Sequence, residues 1–238
     1  MTSLRPENNG YSTVQTAHRF FAGTGCTYDL VVNLFTLGFD LWWKERILAK
    51  IPPLPEQVID QACGTGILTI KLARRFPNCR VIGIELREEY LSFAKQRAKN
   101  MSLKNVEFII GRAEEVFIKQ HFDCITSSYL AKYAELEALV KNARTMLRKN
   151  GTLVIHDFTY PNSPTFLKVW KLLFRLMQRA GSLFFPEWKT AFYELPDFLS
   201  RTKWVEELVP LLRANAFSAI RVEPLFMNTS TLVTARAP

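Results

Sequence analysis

The sequence predicts an α/β fold in which a mainly parallel sheet is covered by helices on both faces. Short apolar runs alternate with helical patterns from residue 58 to residue 158, and parallel strands need crossovers of this kind. The first apolar run, VIDQA at 58–62, breaks into the glycine turn CGTG and then opens directly into a helical pattern. Ligands of open α/β sheets bind at such turns, beyond the carboxyl ends of the strands.

The hydrophobic periodicity places the individual elements. Five parallel strands are predicted at 58–62, 80–86, 106–111, 122–127 and 152–158, with helices at 67–76, 87–101 and about 136–148. The pair Asn150-Gly151 is predicted to stop the last of these helices. Two further β runs, 217–225 and 229–236, form a hairpin. The sheet therefore has seven strands, and its last strand is antiparallel.

Helical segments are also predicted before and after the strand-rich part of the chain. Residues 1–17 are polar and lack sustained periodicity, so we expect ordered structure from about His18. In residues 28–47, apolar positions recur at intervals of three and four around Gly38, which predicts two short helices joined at that glycine. A helical insertion at 162–185 follows the fifth strand.

The length of 238 residues suits one large domain with elaborations. We expect a helical N-terminal lid at 1–50 and a single domain at 51–238 that carries the insertion at about 160–202, including another helix at 204–215 after it. Four cysteines lack any metal-like spacing and are interpreted as reduced thiols. Together with the lack of a signal-peptide core or membrane span, they predict a cytoplasmic protein, peripheral to a membrane at most.

The net charge of +9 is compatible with attraction to nucleic acid or to anionic lipid. No run of Lys or Arg exceeds two residues and no nucleic-acid-binding module is recognisable, so we expect no nucleic-acid partner. The sequence leaves open whether the protein is a monomer or a homodimer.

The residues around the glycine turn indicate which ligand the site takes. A dinucleotide fingerprint requires a third glycine three residues after Gly66, where this chain has Thr69. Asp60, at the end of the first strand, would repel a pyrophosphate but suits a ligand that carries an amino group. Glu85 ends the next apolar run, where a carboxylate can bind both hydroxyls of a ribose. This pattern favours S-adenosylmethionine (SAM) over NAD.

Several stretches of the chain match one known family. They are YDLVVNLFTLGFDLWWK at 28–44, VIDQACGTGILT at 58–69, VIGIEL at 81–86, FDCIT at 122–126 and LRKNGTLVIHDFTYP at 147–161. These pieces resemble the ubiquinone/menaquinone-biosynthesis C-methyltransferases (UbiE-type), within the class I SAM-dependent methyltransferases. The resemblance runs from about residue 20 to the end, and its 28–44 piece is the most specific. It implies a Rossmann-like seven-stranded class I methyltransferase sheet and C-methylation of a prenylated quinol.

The resemblance also implies a cofactor site. Asp60, Ala62, Gly64 and Gly66 fall on the first SAM motif, and Glu85 falls on the ribose-binding acid. Three residues after the third strand fall where the family contacts adenine, and two more lie beside the strand ends; these are Arg112, Ala113, Glu114, Leu86 and Ser127.

The chain departs from the family pattern at several positions. Asp40 and Leu41 replace a His-Arg pair, Lys132 stands where the family has a functional Arg, and Arg112 replaces an acid. An enzyme that methylates a small phenolic, amine or thiol acceptor would show such a pattern. A non-catalytic SAM-binding module is the alternative of another class.

Candidate catalytic residues lie where the substrate would approach the cofactor. They are Asp157 near the end of the fifth strand, Lys132 and Tyr129 after the fourth, and Tyr28 in the lid. His156, inside the fifth strand, is interpreted as a core histidine. In segment 165–185, basic residues recur at intervals of three and four beside apolar ones, which fits peripheral contact with a membrane.

Overall fold

A seven-stranded sheet forms the centre of the computed structural model, which describes residues 13–238. The strands are β1 (Gln57–Gln61), β2 (Arg80–Glu85), β3 (Val106–Ile110), β4 (Phe122–Ser128), β5 (Leu147–Phe158), β6 (Ser218–Leu225) and β7 (Ser230–Arg236). Their order in the sheet is β3-β2-β1-β4-β5-β7-β6. The first five strands are mutually parallel, and β7 runs antiparallel to both β5 and β6. The predicted sheet is confirmed, and its order reverses between β1 and β4.

Helices cover both faces of this sheet. They are α1 (Thr13–Phe21), α2 (Tyr28–Phe35), α3 (Phe39–Leu48), α4 (Ile67–Arg75), α5 (Glu88–Asn100), α6 (Leu136–Met146), α7 (Pro164–Leu176), α8 (Ser182–Phe184), α9 (Lys189–Arg201) and α10 (Trp204–Ala214). Because strand side chains alternate between faces, Ile59 packs with α6 and α10 whereas Val58 packs with α3 and α4. Both residues are fully buried, which explains the continuous apolar run in β1.

The N-terminal helices confirm one prediction and correct another. Helices α2 and α3 meet at Gly38, whose φ of 80° requires a residue that tolerates the left-handed region. Residues 13–17, expected to lack order, belong to helix α1, while the rest of that expectation, residues 1–12, lies outside the described residues. The helix is held by tertiary packing, because Phe20 is fully buried among Phe21, Tyr133 and Phe198.

The pair Asn150-Gly151 does not stop a helix. Helix α6 ends at Met146, and β5 begins at Leu147, which pairs with Phe122. The pairing resumes only at Thr152 opposite Cys124, so the intervening residues form an irregularity within the strand. Asn150 takes a φ of 61° there. The Asn-Gly signal therefore marked a bulge rather than a helix end.

Candidate active site

The glycine turn after β1 leaves a space beside its backbone. Gly64 has a φ of 58°, and a Cβ placed on it would meet nothing within 4 Å. Gly66 has a different role, because a Cβ there would lie 2.9 Å from the Ala94 side chain of α5. Gly64 thus leaves open space beside the backbone of the turn, while Gly66 lets the turn approach α5 closely.

Glu85, the last residue of β2, holds this turn in place. Its Oε2 accepts the N–H of Gly64 at 2.9 Å, and its Oε1 accepts the N–H of Arg87 at 2.8 Å. Burial raises the pKa of the Glu85 carboxyl, and the hydrogen bonds from Arg87 and Gly64 oppose that rise. Each carboxylate oxygen keeps a second lone pair for a ligand hydroxyl.

A pocket of about 110 Å³ adjoins this turn at the carboxyl ends of β1, β2 and β3. Seven of the residues predicted to bind the cofactor line it: Ala62, Gly64, Glu85, Leu86, Arg112, Ala113 and Glu114. Helix α1 lines the same pocket through Val14, Ala17, His18 and Phe21, a contribution that the sequence analysis missed. The intervals of three and four between Val14, Ala17 and Phe21 were the available signal.

Three other predicted cofactor residues do not line the pocket. The Asp60 carboxylate instead accepts the hydroxyls of Thr69 at 2.6 Å and Thr126 at 3.1 Å. Burial raises its pKa from 3.8 to about 6. Gly66 packs against α5, and the Ser127 side chain is fully buried. Ser128 lines the pocket in place of Ser127, because neighbouring side chains on a strand face opposite sides.

A second, larger cavity of about 340 Å³ lies next to the first. Helices α1, α2, α7 and α9 supply most of its wall, which is almost entirely apolar and rich in aromatic rings. Four side chains line both spaces and so form the boundary between them: Phe21, Tyr28, Tyr129 and Tyr133. A molecule in the cavity therefore meets a molecule in the pocket at these rings.

A buried ion pair lies at the polar end of the cavity. The Lys132 Nζ lies 2.5 Å from Asp157 Oδ1 and donates to the Tyr129 carbonyl at 3.0 Å. The Asp157 carboxylate also accepts the backbone N–H groups of Lys132 and Phe158. Burial lowers the pKa of Lys132, and the Asp157 carboxylate opposes that change. Lys132 lines the cavity, whereas Asp157 lies behind it and lines neither space.

The other two candidate catalytic residues are tyrosines of the boundary. The Tyr129 hydroxyl donates to Asp40 Oδ1 at 2.6 Å, and Asp40 is also paired with Lys44. Tyr28 packs its ring against Tyr90 and Trp188 at centroid distances of 5.1 and 5.8 Å. Burial is the largest cause that raises the pKa of both tyrosines well above the ordinary value, so both hydroxyls stay protonated at neutral pH.

His156 is fully buried beside these groups. Its Nδ1 lies 3.2 Å from the Ser128 hydroxyl, and its ring lies 5.4 Å from that of Trp43 and 5.3 Å from that of Tyr129. Burial and the charges of Lys44 and Lys132 lower its pKa well below the usual value. The imidazole is therefore neutral and lies in the core, but its Nε2 has no hydrogen-bond partner among the described residues, whereas the sequence predicted a core histidine with its hydrogen bonds satisfied.

The residues of the smaller pocket fit SAM. The open space at Gly64 would accept the part of the ligand that passes closest to the backbone, and Glu85 has carboxylate oxygens for ribose hydroxyls. The turn lacks the third glycine that a pyrophosphate site requires. Residue 69 is instead a buried threonine that donates a hydrogen bond to Asp60. The fold thus provides a pocket that suits a nucleoside cofactor beside an apolar cavity.

Comparison with known proteins gives the family. Residues 55–211 match the family model described as methyltransferase domain. The chain is 27% identical to a demethylmenaquinone methyltransferase of Thermotoga maritima over 232 residues, which cover 93% of this chain and 96% of the relative. It is 29% identical to the ubiquinone/menaquinone biosynthesis C-methyltransferase UbiE of Rickettsia prowazekii over 149 residues, 60% of each chain.

Solved structures agree on the fold. The N-methyltransferase NodS of Bradyrhizobium japonicum, in complex with S-adenosylhomocysteine, superposes with a TM-score of 0.61 at 16% identity, over 95% of this chain and 99% of that chain. The chain belongs to the methyltransferase domain family, and it is a SAM-dependent methyltransferase with the Rossmann-like class I fold.

Proposed function

We propose that this methyltransferase transfers the methyl group of SAM to a ring carbon of a prenylated quinol. The observation that carries the proposal is the cavity of about 340 Å³, whose apolar and aromatic wall suits both a quinol ring and an isoprenoid tail. The names of the relatives from Thermotoga maritima and Rickettsia prowazekii support the same substrate class.

The proposed cofactor site comprises Ala62 and Gly64 of the glycine turn, Glu85, and the residues that follow β3. Glu85 would hold the ribose, and Ala113 and Glu114 would contact the adenine. Bound SAM supplies an electrophilic methyl group to whichever acceptor the enzyme holds in line with it. The protein contributes chiefly by holding the two reactants in line and excluding water.

C-methylation of a quinol needs a nucleophilic ring carbon, and loss of the proton from the neighbouring hydroxyl supplies it. Lys132 is the buried cation that lines the cavity, and its charge would stabilise the resulting ring oxyanion. We assign Tyr28 and Tyr129 to the contact between acceptor and cofactor. Asp157 is assigned to positioning Lys132, because its carboxylate lines neither space and accepts three hydrogen bonds, two of them from Lys132.

The N-terminal helices are proposed to act as a lid over both spaces. Helix α1 lines the pocket and the cavity, and α2 lines the cavity. Polar contacts fasten this segment to the sheet domain: Thr65 donates to Asp29 at 2.6 Å, and the N–H of Gly25 donates to Glu89 at 2.8 Å. Opening of α1 would expose the cofactor pocket.

Helix α7, the π-helical turn Met177–Gly181 that follows it, and α8 carry a surface that we propose contacts an anionic membrane. Four basic side chains are exposed along it, Lys168, Lys171, Arg175 and Arg179, and no acidic residue occurs between 159 and 186. Large apolar side chains are exposed beside them: Val169, Leu172, Leu176, Leu183 and Phe184. No helix in the described part of the chain has the length and apolar character of a membrane span. Contact at the surface would deliver a lipidic acceptor to the cavity below.

Sedimentation with vesicles tests this contact. The variant Lys171→Glu/Arg175→Glu should lose binding to vesicles that contain phosphatidylserine, because the variant reverses two charges on the proposed face. The matched control is Lys95→Glu/Lys99→Glu, which makes a comparable charge change at the same spacing on the exposed side of α5. Equal binding by the two variants would contradict the membrane assignment.

Complementation tests the acceptor. Expression in a bacterium that lacks quinone C-methylation should restore the methylated quinone, as measured by mass spectrometry of extracted lipids. If only demethylated quinone accumulates although the protein is present and binds SAM, the quinol proposal is wrong. A small phenolic, amine or thiol acceptor then becomes the substrate class to test.

A further inference from the structure

Two buried ion pairs flank the ring of Tyr129. The Lys132 Nζ lies 5.4 Å from the ring centroid, and the Lys44 Nζ lies 5.0 Å from it. Lys132 is paired with Asp157 and Lys44 with Asp40. Of these two carboxylates, Asp40 is the one that accepts the Tyr129 hydroxyl. The phenol of Tyr129 is thus connected to a buried carboxylate inside a charge-balanced cluster.

Asp40 has an unused oxygen. Its side chain is fully buried, and Oδ1 accepts both the Lys44 ammonium and the Tyr129 hydroxyl, whereas Oδ2 has no hydrogen-bond partner in the described part of the chain. A buried carboxylate oxygen without a partner is costly. The hydrogen bond from Tyr129 leads to the other oxygen, Oδ1, so a proton passed along it would arrive there. Because Asp40 lines neither the pocket nor the cavity, it can reach an acceptor only through Tyr129.

Tyr129 is held at the boundary by its backbone and by its ring. Its φ of 67° lies in the left-handed region, which is unfavourable for a tyrosine. The N–H of Tyr129 donates to the His156 carbonyl at 2.8 Å, and its ring stacks on Phe158 at 4.6 Å with an interplanar angle of 9°. The structure therefore fixes this ring between the acceptor cavity and the cofactor pocket.

We propose that Tyr129 and Asp40 form a proton relay for the acceptor: Tyr129 takes the proton of the ring hydroxyl while its own proton passes to Asp40. The inference rests on the proposed function, since it requires a phenolic acceptor. Tyr129 is the catalytic residue of the relay, and Asp40 acts through it. Asp40 is one of the positions at which the chain departs from the family pattern.

Two protons move before the methyl transfer. The acceptor O–H bond and the Tyr129 O–H bond break, and new O–H bonds form on Tyr129 and on Asp40. The ring carbon next to the acceptor oxygen then forms a bond to the methyl group, while the carbon–sulfur electron pair stays on sulfur. Loss of the ring C–H proton to water restores aromaticity, and the proton held by Asp40 returns to the ring oxygen through Tyr129. The relay thereby regains its starting state.

Three variants test the relay in the full-length protein: Tyr129→Phe, Asp40→Asn and the double variant. Removal of a general base lowers kcat by about 10²-fold or more, and groups that act as one unit give a double variant no slower than the slower single one. The affinity for S-adenosylhomocysteine, measured by calorimetry, should change far less than kcat in Tyr129→Phe, because the variant keeps the ring that lines the pocket. Tyr193→Phe, an exposed tyrosine on α9, is the control.

A series of acceptors with increasingly acidic hydroxyls separates a proton relay from a packing role. The rate deficit of Tyr129→Phe should shrink along the series, because an acceptor that is already ionised needs no base. A constant deficit, or a kcat equal to that of the unmodified protein, would overturn the relay. Because Asp40→Asn leaves Lys44 unpaired and is expected to fold poorly, Tyr129→Phe alone decides the result.

The outcome also distinguishes the relay from the quinol proposal. If the unmodified protein methylates simple phenols but no prenylated quinol, only the quinol proposal fails, and the acceptor series is run on the phenols. If it methylates only acceptors that lack a hydroxyl group, the relay is overturned as well.

Discussion

The Glu85 carboxylate accepts the backbone N–H of Gly64 at 2.9 Å and thereby connects the end of β2 to the glycine turn after β1. Both residues line the cofactor pocket. The acid and the turn therefore form one structural unit, in which the carboxylate that would bind the ribose also supports the backbone that would border the ligand.

Replacement of this acid should abolish tight cofactor binding. Glu85→Ala removes the proposed ribose contact and leaves the N–H groups of Gly64 and Arg87 without their acceptor. We expect the affinity for S-adenosylhomocysteine to fall by at least about 30-fold, as follows from about 2 kcal/mol for hydrogen bonds to a charged group. Glu107→Ala, at an exposed acid on β3, is the control. Unchanged calorimetric affinity in Glu85→Ala would refute the ribose role.

A side chain at Gly64 should interfere with the ligand more than with folding. Gly64→Ala and Gly23→Ala both place a methyl group at a positive φ, and neither Cβ would meet an atom within 4 Å. Each should therefore cost about 1–2 kcal/mol of folding free energy. Only Gly64→Ala should weaken binding, and the larger Gly64→Arg should abolish it. Equal affinities of the two alanine variants would place the ligand elsewhere.

The stability of the protein should depend on pH through Asp60. Its pKa is raised from 3.8 to about 6 in the folded protein, so between these pH values the folded state holds a proton that the unfolded state has lost. The free energy of unfolding therefore falls as pH rises through this window, by about 3 kcal/mol at most.

Denaturant unfolding at several pH values, with Asp60→Asn as reference, measures this contribution. The stability of the unmodified protein relative to the variant should decrease from pH 4 to pH 7. An increase over the same range would mean that Asp60 has a lowered pKa, contrary to its burial.

Breaking the ion pair of Lys132 and Asp157 should lower the free energy of unfolding substantially. Both side chains are almost fully buried, and removal of one partner from a buried pair leaves an uncompensated charge, which costs about 3–5 kcal/mol. We therefore expect Lys132→Met to lower the free energy of unfolding by about 3–5 kcal/mol. Lys141→Met removes an exposed pair with Glu137 and should leave the free energy of unfolding nearly unchanged. Comparable losses in the two variants would contradict the burial argument.

The sequence predicted the sheet, and it predicted seven residues that line the smaller pocket, because local patterns determine both. The apolar run at Val58, the glycine turn and the acid at Glu85 lie on strands and turns whose side-chain directions follow from their period. The same reasoning failed for Ser127, because a shift of one residue along a strand reverses the face, and Ser128 lines the pocket. The predicted helix end at Asn150-Gly151 was wrong, because a turn-forming pair can interrupt a strand as well as end a helix.

Contacts between residues that are far apart in the sequence could not be predicted from local sequence patterns. The hydrogen bond of Tyr129 to Asp40 joins residues 89 positions apart, and the pair of Lys132 and Asp157 spans 25 positions. Helix α1 was missed since its stability comes from burial of Phe20 in the tertiary structure rather than from its polar sequence. Folding brings these groups together, and two of them, Tyr129 and Lys132, line the larger cavity.

Transfer of a labelled methyl group tests the central claim most directly. The purified protein is incubated with SAM that carries a trideuterated methyl group and with a prenylated demethylnaphthoquinol under reducing conditions, and the product is analysed by mass spectrometry and NMR. The account predicts that the label appears on the ring carbon next to a ring hydroxyl, and that Glu85→Ala abolishes its appearance. Label found only on a small phenol, amine or thiol, with none on the quinol, would contradict it.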